Sequence, residues 1–321
     1  TTGAPARITV YSALLDEDGK VITPQPVAGG RSVEIEVRSS DERVAKLSPP
    51  RILIQSGMTS AETQFQPARP GTTTLSLVVP QSFGLTAAAA TVGATVDYPG
   101  IGLTGDLTIG KDLQTQGIVL LGEPPPAGGL DIELKSSDPK KLLLSTNFDK
   151  VGSGSLTLHV PEGQLRASYF IQSLGDSGTV NYTATAKGFK ERAVPIYLAP
   201  SGIMVVYWLY GPPDEAEVLR ANSGIRDPRP FTASVSAKKP AYVSLWPVYL
   251  DPETKRGADR TAQRLRAGVS AVVELKNSNP DVAQVTSKVL LKEASEFALA
   301  EFKPLAPGQT VISVNTPAGF S

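Results

Sequence analysis

One short polar step occurs three times along this chain, and it constrains the fold more than any other feature. The copies read RSSDERVAKLS at 38–48, KSSDPKKLLLS at 135–145 and KNSNPDVAQVTS at 276–287. Apolar residues alternate with charged ones directly before each copy, which predicts a strand with one buried face. The step itself predicts a turn, because Asx side chains cap turns and proline cannot donate to a β-ladder.

The match extends further when the copies are aligned on Asp41, Asp138 and Asn279. Each copy then has, at corresponding distances, a glycine, an apolar residue four positions later and a phenylalanine beside a second glycine. These positions are Gly71, Gly178 and Gly308; Leu75, Tyr182 and Ile312; and Phe83, Phe189 and Phe320. Coincidence at so many positions indicates an internal repeat of one folding unit.

The copies differ in length at two places. The anchor and the glycine are 30 residues apart in the first copy (41 to 71), 40 in the second (138 to 178) and 29 in the third (279 to 308). We place the additional residues of the second copy in STNFDKVGSGSL at 145–156. The anchors themselves are 97 residues apart (138 − 41) and then 141 (279 − 138), which predicts an insertion at about 203–240.

Composition agrees with short strands and narrows the function. The chain has 27 Pro and 29 Gly, which separate β-branched runs as in all-β proteins. The 31 basic and 31 acidic residues balance, so there is no electrostatic signature of nucleic acid or an anionic membrane. The absence of cysteine excludes disulfides and thiolate metal sites, and a single histidine makes an enzyme a poor expectation. Chemistry that uses only carboxylates stays open.

The unit resembles a known family. The stretch ITVYSALLDEDGKVIT at 8–23, with its Asp-x-Asp-Gly turn, and GSGSLTLHVPEGQLRASYFIQSLGDSGTVNYTATAKGF at 152–189 are similar to tandem bacterial immunoglobulin-like (BIg/invasin-like) repeats of surface and secreted proteins. The resemblance covers nearly the whole chain outside 203–240. It implies an all-β, elongated string of three Ig-like Greek-key β-sandwiches, at 1–98, 99–200 and 201–321, on a bacterial surface or outside the cell.

The third copy has no evident closing strand. The first and second copies continue past their phenylalanine with AAAATVGATVDY and RAVPIYLAP, whereas the third reaches Gly319-Phe320-Ser321. Two explanations stay open. The chain is a piece of a longer array, or a partner chain supplies the strand and builds a head-to-tail polymer by donor-strand exchange.

Asp16 and Asp18 are the metal candidates, because the DEDG turn has the Asp-x-Asp-Gly pattern of calcium loops. The alternative, which we favour, is a plain hairpin turn in which Asp-Gly supplies the positive φ. Asp97, Asp131 and Asp138 are weaker candidates for calcium near a domain junction.

Aromatic residues are the ligand candidates. Tyr207, Trp208 and Tyr210 stand within four positions, and Trp246 follows in SLWPVYL. Exposed aromatic rings bind sugars and partner proteins, but packing at a domain junction explains them as well. His159 is predicted to be a solvated strand residue or a hydrogen-bonding residue at the edge of the core. The arginine-rich stretch RGADRTAQRLRAG at 256–268 is predicted to be a solvated loop.

These observations predict a non-catalytic extracellular protein with a structural or adhesive role, a stalk or a filament or coat subunit. Its partners would be other protein chains, either copies of itself or further domains of the same array, without nucleic acid or membrane insertion. No cofactor is predicted, with calcium binding left open. The alternative function is a carbohydrate-binding or accessory module of a secreted hydrolase, with a glycan bound at the aromatic residues.

Overall fold

The computed structural model describes residues 3–84, 91–208, 231–235 and 241–320, with side chains at all of these except 207–208 and 258–261. The prediction of an all-β chain is confirmed, since the described residues form 27 strands and no helix. No described helix is therefore long and apolar enough to cross a bilayer. The insertion predicted at about 203–240 lies mostly outside the described residues.

The strands fall into three sets of nine, which we call the first, second and third repeats. The first repeat contains β1 (Ala6–Tyr11), β2 (Ala13–Leu15), β3 (Val21–Pro24), β4 (Val33–Ser39), β5 (Ala45–Ser48), β6 (Arg51–Ile54), β7 (Ser60–Pro67), β8 (Gly71–Val78) and β9 (Thr91–Val96). The second contains β10 (Ile101–Leu103), β11 (Leu107–Gly110), β12 (Leu113–Leu121), β13 (Leu130–Ser136), β14 (Leu142–Ser145), β15 (Ser155–Val160), β16 (Arg166–Ser173), β17 (Gly178–Ala186) and β18 (Arg192–Ala199). The third contains β19 (Ser201–Trp208), β20 (Ala241–Leu250), β21 (Gly257–Ala262), β22 (Arg264–Leu265), β23 (Ala271–Asn277), β24 (Ala283–Val285), β25 (Lys288–Leu291), β26 (Ala298–Pro304) and β27 (Ile312–Asn315).

Two sheet orders recur in the three repeats. In the first, second and third repeats, one sheet contains the strand order β1-β7-β5, β12-β16-β14 and β20-β26-β24, respectively. The other sheet contains the order β6-β4-β8, β15-β13-β17 and β25-β23-β27. In the first repeat, buried residues of both sheets, such as Val10, Ile35 and Phe65, belong to one apolar core. The two sheets therefore pack face to face as a β-sandwich.

The repeats differ at the edges of these sheets. A closing strand extends the second sheet of the first two repeats, β9 beside β8 and β18 beside β17. An opening strand extends the first sheet of the last two repeats, β10 beside β12 and β19 beside β20. Strand β27 pairs with β23 alone within the described residues.

The repeated polar step forms the same turn each time. Strands β4, β13 and β23 end at Ser39, Ser136 and Asn277, and the next strand begins six positions later in every repeat. The Oδ1 atom of Asp41 accepts a hydrogen bond from the backbone N–H two residues on (2.9 Å), and Asp138 does the same (3.0 Å). The Asx side chain therefore shapes the turn, as its type predicts.

The anchor glycine contacts this turn. Gly71, Gly178 and Gly308 all have positive φ, at 150°, 92° and 158°. A Cβ atom on Gly71 would lie 2.8 Å from Cγ2 of Val44, and one on Gly308 would lie 2.5 Å from Cγ2 of Val282. The polar step and the anchor glycine are about thirty residues apart in the sequence of these two repeats, but they lie against each other in the fold. This contact explains why they recur together.

The core of the second repeat is built around two buried tyrosines. Tyr169 and Tyr182 are 0% exposed, and their hydroxyl groups lie 2.5 Å apart. The Tyr182 hydroxyl also donates to the carbonyl of Thr104. Burial raises the pKa of Tyr182 to about 12 and raises the pKa of Tyr169 far above its usual range. Gly117 makes room for this pair, because a Cβ atom there would lie 2.5 Å from Cζ of Tyr169.

By compactness the chain forms two units. One contains residues 1–100 with 188–190, and the other contains 101–187 with 191–321. The domain boundary predicted at 200–201 therefore lies inside the second unit, which holds both the second and the third repeats. The contacts that join these two repeats form the candidate site.

Candidate functional site

The length difference predicted for the second copy lies at this site. Loop 146–154 separates β14 from β15, where the first and third repeats have only two residues, 49–50 and 286–287. In the third repeat, segment 251–270 joins β20 to β23 and contains β21 and β22. We call segment 251–270 the junction arm. The arm and the loop contact each other, and the contacts of the arm with the second repeat form the junction.

The arm adds a short strand to a sheet of the second repeat. Strand β22 pairs antiparallel with the start of β12, with Leu265 opposite Leu113 and Arg264 opposite Gln114. The side chains of Leu113 and Leu265 are both 0% exposed. Backbone pairing gives the contact its register, and the two leucines give it an apolar centre.

Two buried glutamines surround this centre. Nε2 of Gln114 donates to the carbonyl oxygens of Leu265 (3.0 Å) and Phe148 (2.6 Å). Nε2 of Gln172 donates to Oε1 of Gln114 (2.9 Å) and to the carbonyl oxygen of Lys150 (2.8 Å). Phe148 and Lys150 belong to the inserted loop. Because a buried amide is costly without partners, this network favours one arrangement of arm and loop over others.

A third glutamine fastens the arm to β11. Gln263 accepts a hydrogen bond from the backbone N–H of Gly110 at Oε1 (3.0 Å) and donates from Nε2 to the carbonyl of Thr108 (2.7 Å). One side chain therefore satisfies two backbone groups that no neighbouring strand of the second repeat satisfies on that side.

An ion pair with little solvent exposure also joins the repeats. Nε of Arg266 lies 2.9 Å and one terminal nitrogen 2.8 Å from Oδ1 of Asp112. The two side chains are 16% and 18% exposed. The backbone N–H of Arg266 also donates to the carbonyl of Asp112 (3.0 Å), which has φ of 59°. Aspartate tolerates this left-handed conformation better than most residues.

A second arginine of the arm is held on three sides. Arg264 donates to Oε1 of Glu296 (2.5 Å) and to the carbonyl of Ala294 (2.6 Å), and its guanidinium lies 4.5 Å from the centre of the Phe148 ring. The stacking is a cation–π contact. The prediction that the arginine-rich stretch at 256–268 is a solvated loop is therefore wrong for Arg264 and Arg266, because carboxylates from distant segments pair with them.

Two cavities, of about 260 and 510 Å³, flank Arg264 and Glu296. Gln114, Gln263 and Trp246 line the smaller one, but the side-chain amides of the two glutamines are already bonded to protein groups. In the part of the chain that the structure describes, no group of three or more side chains could hold a metal ion. The contacts of this site hold the arm of the third repeat against the second repeat.

The calcium candidates Asp16 and Asp18 lie in the turn between β2 and β3. Oδ1 of Asp16 accepts the backbone N–H groups of Asp18 (3.1 Å) and Lys20 (2.7 Å), and Gly19 has φ of 76°. This is the geometry of the hairpin turn that we favoured. Calcium binding at these residues stays a prediction.

The weaker candidates have protein partners. Asp131 pairs across β13 and β15 with His159, whose Nδ1 lies 2.7 Å from Oδ1 of the aspartate. His159 is 56% exposed, which fits a solvated strand residue. In the first unit, the backbone N–H of Tyr98 and then Lys190 hold the pKa of Asp97 below its usual value.

The aromatic candidates do not all lie within the described side chains. Tyr207 and Trp208 end β19, where their backbones pair with Val243 and Tyr242. Tyr210 lies outside the described residues. Trp246 is 4% exposed and stacks on Phe297 with ring centres 5.0 Å apart. Its Nε1 donates to the hydroxyl of Ser244 (2.9 Å). The ring is thus packed and does not form an exposed platform; ligand binding by the group as a whole stays a prediction.

Sequence reasoning missed the junction residues Asp112, Gln114, Gln172 and Gln263. Two sequence features mark the segments that form the junction: the additional residues at 145–156 and the arginine-rich stretch that has no counterpart in the other copies. Neither signal indicates that the two segments contact each other.

No protein-family model and no curated protein matches the chain. Among solved structures, domains 5–6 of the S-layer protein SbsC share 13% identity over 68% of this chain and 91% of that chain, with a TM-score of 0.26. A β-glycosidase from Bacteroides vulgatus shares 13% identity over 60% of this chain and 25% of that chain (TM-score 0.25). Escherichia coli α2-macroglobulin activated by porcine elastase shares 11% over 96% and 29% (TM-score 0.24). Similarities at these TM-scores carry no argument about function.

Proposed function

We propose that this chain is a non-catalytic structural protein, a stalk or filament subunit built from Ig-like β-sandwich repeats on a bacterial surface or outside the cell. The three occurrences of the same two sheet orders support a string of Ig-like domains. The resemblance to surface-protein repeats supports the location. The partners would be copies of the chain or further domains of the same array.

The observation that carries the proposal is the junction. Consecutive domains joined only by a linker move relative to each other unless their interface is large and well packed. Here the arm adds paired backbone, two fully buried leucines and an ion pair with little exposure. Such a junction resists bending and separation, which is what a mechanical spacer needs.

Pulling single molecules of the chain from both ends tests this function. We expect discrete unfolding events, each releasing roughly 35 nm for about 100 residues of extended chain. We also expect Arg266→Ala to lower the force needed to separate the second and third repeats. The event of the first repeat, which the substitution does not touch, is the internal control. Continuous extension at low force, without discrete events, would contradict a mechanical role.

A further inference from the structure

The first repeat has a segment at the same place in its fold as the junction arm and of nearly the same length. Residues 12–32 connect β1 to β4 and contain β2 and β3, as the junction arm at 251–270 connects β20 to β23. In the second repeat, only residues 122–129 connect the corresponding strands, β12 and β13. Two repeats therefore carry a long arm at this position, and we call residues 12–32 the first-repeat arm.

The two arms make the same hydrogen bonds to their own repeats. Three backbone N–H donors correspond, and they belong to Gln25 and Gln263, Val27 and Leu265, and Gly30 and Gly268. Their acceptors are the carbonyls of Ser12 and Pro247 (both 2.9 Å), the carbonyls of Met58 (3.0 Å) and Ser295 (2.9 Å), and the side chains of Ser56 (3.1 Å) and Glu293 (2.8 Å). The two glycines also share a left-handed backbone, with φ of 76° and 78°. The first-repeat arm is therefore folded like the part of the junction arm that contacts the second repeat.

Gln25 stands where the junction arm has Gln263. The side chain of Gln263 is half-buried, because it accepts from the N–H of Gly110 and donates to the carbonyl of Thr108. Gln25 is exposed. The first-repeat arm thus presents to solvent the donor and the acceptor with which the junction arm holds an edge strand of the second repeat.

Leu14 lies on the same face of the first-repeat arm as Gln25. Gln25 is opposite Ser12, and side chains two residues apart along a strand share a face. By the same count, Tyr249 corresponds to Leu14, and a Cβ atom on Gly110 would lie 3.1 Å from Cβ of Tyr249. Leu14 is 43% exposed. The face that packs on the second repeat in the junction arm is therefore accessible and apolar in the first-repeat arm.

A backbone donor of the first-repeat arm faces the same way. The N–H and C=O groups of Val27 bond to residues 57–58 of the first repeat. Backbone groups of successive residues in an extended segment point to opposite sides, so the N–H of Ala28 points away from the repeat. In the junction arm, the corresponding N–H of Arg266 donates to the carbonyl of Asp112 in the second repeat. One more junction contact is thus prepared in the first-repeat arm.

We propose that the first-repeat arm binds a β-sandwich repeat of another polypeptide chain, in the way the junction arm binds the second repeat. The junction defines the chemistry of that partner. Its edge strand presents a C=O and an N–H two residues apart, as Thr108 and Gly110 do, with a glycine that lets the arm come close. This inference rests on the proposed function, for which it names a partner.

The contact is less polar than the junction. Pro26 and Ala28 occupy the positions of Arg264 and Arg266, so the first-repeat arm brings no cation. A buried charge is costly without a counterion. The partner therefore presents an uncharged residue where the second repeat has Asp112.

The test uses receivers in which the edge of the second repeat has no arm on it. In the first receiver, residues 251–270 of the full chain are replaced by GEPPPAGG, the connection between β12 and β13. The second receiver keeps the full length and carries Leu265→Asp and Arg266→Asp, because two carboxylates do not stay buried without cations. Both carry Asp112→Asn, to match the uncharged arm, and Gln25→Ala, to prevent them from acting as donors. Circular dichroism establishes that they are folded.

We expect the natural chain to bind a fluorescently labelled receiver saturably in anisotropy titrations. Its own second repeat is already covered by its junction arm, so the first-repeat arm is the donor. Gln25→Ala in the natural chain should weaken binding about tenfold, because it removes two hydrogen bonds. The matched control is Gln66→Ala, at an exposed glutamine in β7 of the same repeat, which should leave the affinity unchanged.

Absence of saturable binding to a folded receiver, or equal weakening by Gln25→Ala and Gln66→Ala, would overturn the inference. Discrete unfolding events in the pulling experiment would then still support a spacer, one whose first-repeat arm does not dock. Continuous extension at low force would contradict the proposed function itself. The two failures are therefore distinguishable.

Discussion

Breaking the ion pair between Asp112 and Arg266 should lower the stability of the junction by more than breaking an exposed ion pair of this chain lowers the stability of its repeat. We choose Arg266→Ala and Asp112→Asn, with the double variant, as a thermodynamic cycle. Asparagine is preferable to alanine at position 112 because the backbone there has φ of 59°. Asparagine tolerates this conformation, whereas alanine would add strain that has nothing to do with the ion pair.

The magnitude follows from distance and exposure. Two unit charges about 4 Å apart attract by about 4 kcal/mol at an effective dielectric constant of about 20. The side chains are 16% and 18% exposed, so most of the solvation of both charges is lost. Removing one partner of a buried pair costs about 3–5 kcal/mol, because the other charge stays desolvated. Allowing for the remaining exposure, we expect each single substitution to cost about 3 kcal/mol and the coupling to be about 2 kcal/mol.

The assay is urea unfolding followed by tryptophan fluorescence, because both tryptophans, Trp208 and Trp246, lie in the third repeat. The matched control is the pair of Glu274 and Lys288, which lies in the same repeat and has nearly the same separation (2.7 Å) but exposures of 46% and 67%. Its coupling should be at most about 1 kcal/mol. A junction coupling no larger than that of the control would refute the argument that this ion pair fastens the repeats.

Two further predictions concern the core of the second repeat. Gly117→Ala should lower the free energy of unfolding by about 2 kcal/mol, because the new methyl group would overlap the ring of Tyr169. The control is Gly93→Ala, in a strand with no atom within 4 Å of the added carbon, which should change the free energy of unfolding by less than about 0.5 kcal/mol. Equal effects of the two substitutions in thermal unfolding would contradict this prediction. Since burial raises the pKa of Tyr182 to about 12, and an unfolded tyrosine has a pKa of about 10, its contribution to stability should be complete below pH about 10 and be lost as pH rises toward about 12. Phenolate absorbance during alkaline unfolding measures this, and Tyr182→Phe should weaken the dependence; an unchanged profile would count against it.

The agreement between sequence and structure is best for features that lie close together along the chain. Alternating residues such as Val33, Ile35 and Val37 became one face of β4, buried as the pattern predicts. The Asx turns after β4 and β13 and the additional loop in the second repeat also lie where they were predicted. Strand periodicity and turn chemistry depend on neighbouring residues, so a single sequence contains the information for them.

The tertiary structure alone decided what the distinctive residues do. The local sequence predicts that Arg266 is a solvated charge. Only its contact with Asp112, which is 154 positions away, makes it part of the junction. From its own segment, Trp246 is compatible with a ligand platform or with packing, and only the stacking of Phe297 on its ring shows that it is packed. In both cases the partner belongs to a distant segment. Local pattern shows that a side chain is apolar or charged, whereas packing between segments decides whether water, a ligand or another part of the chain lies against it.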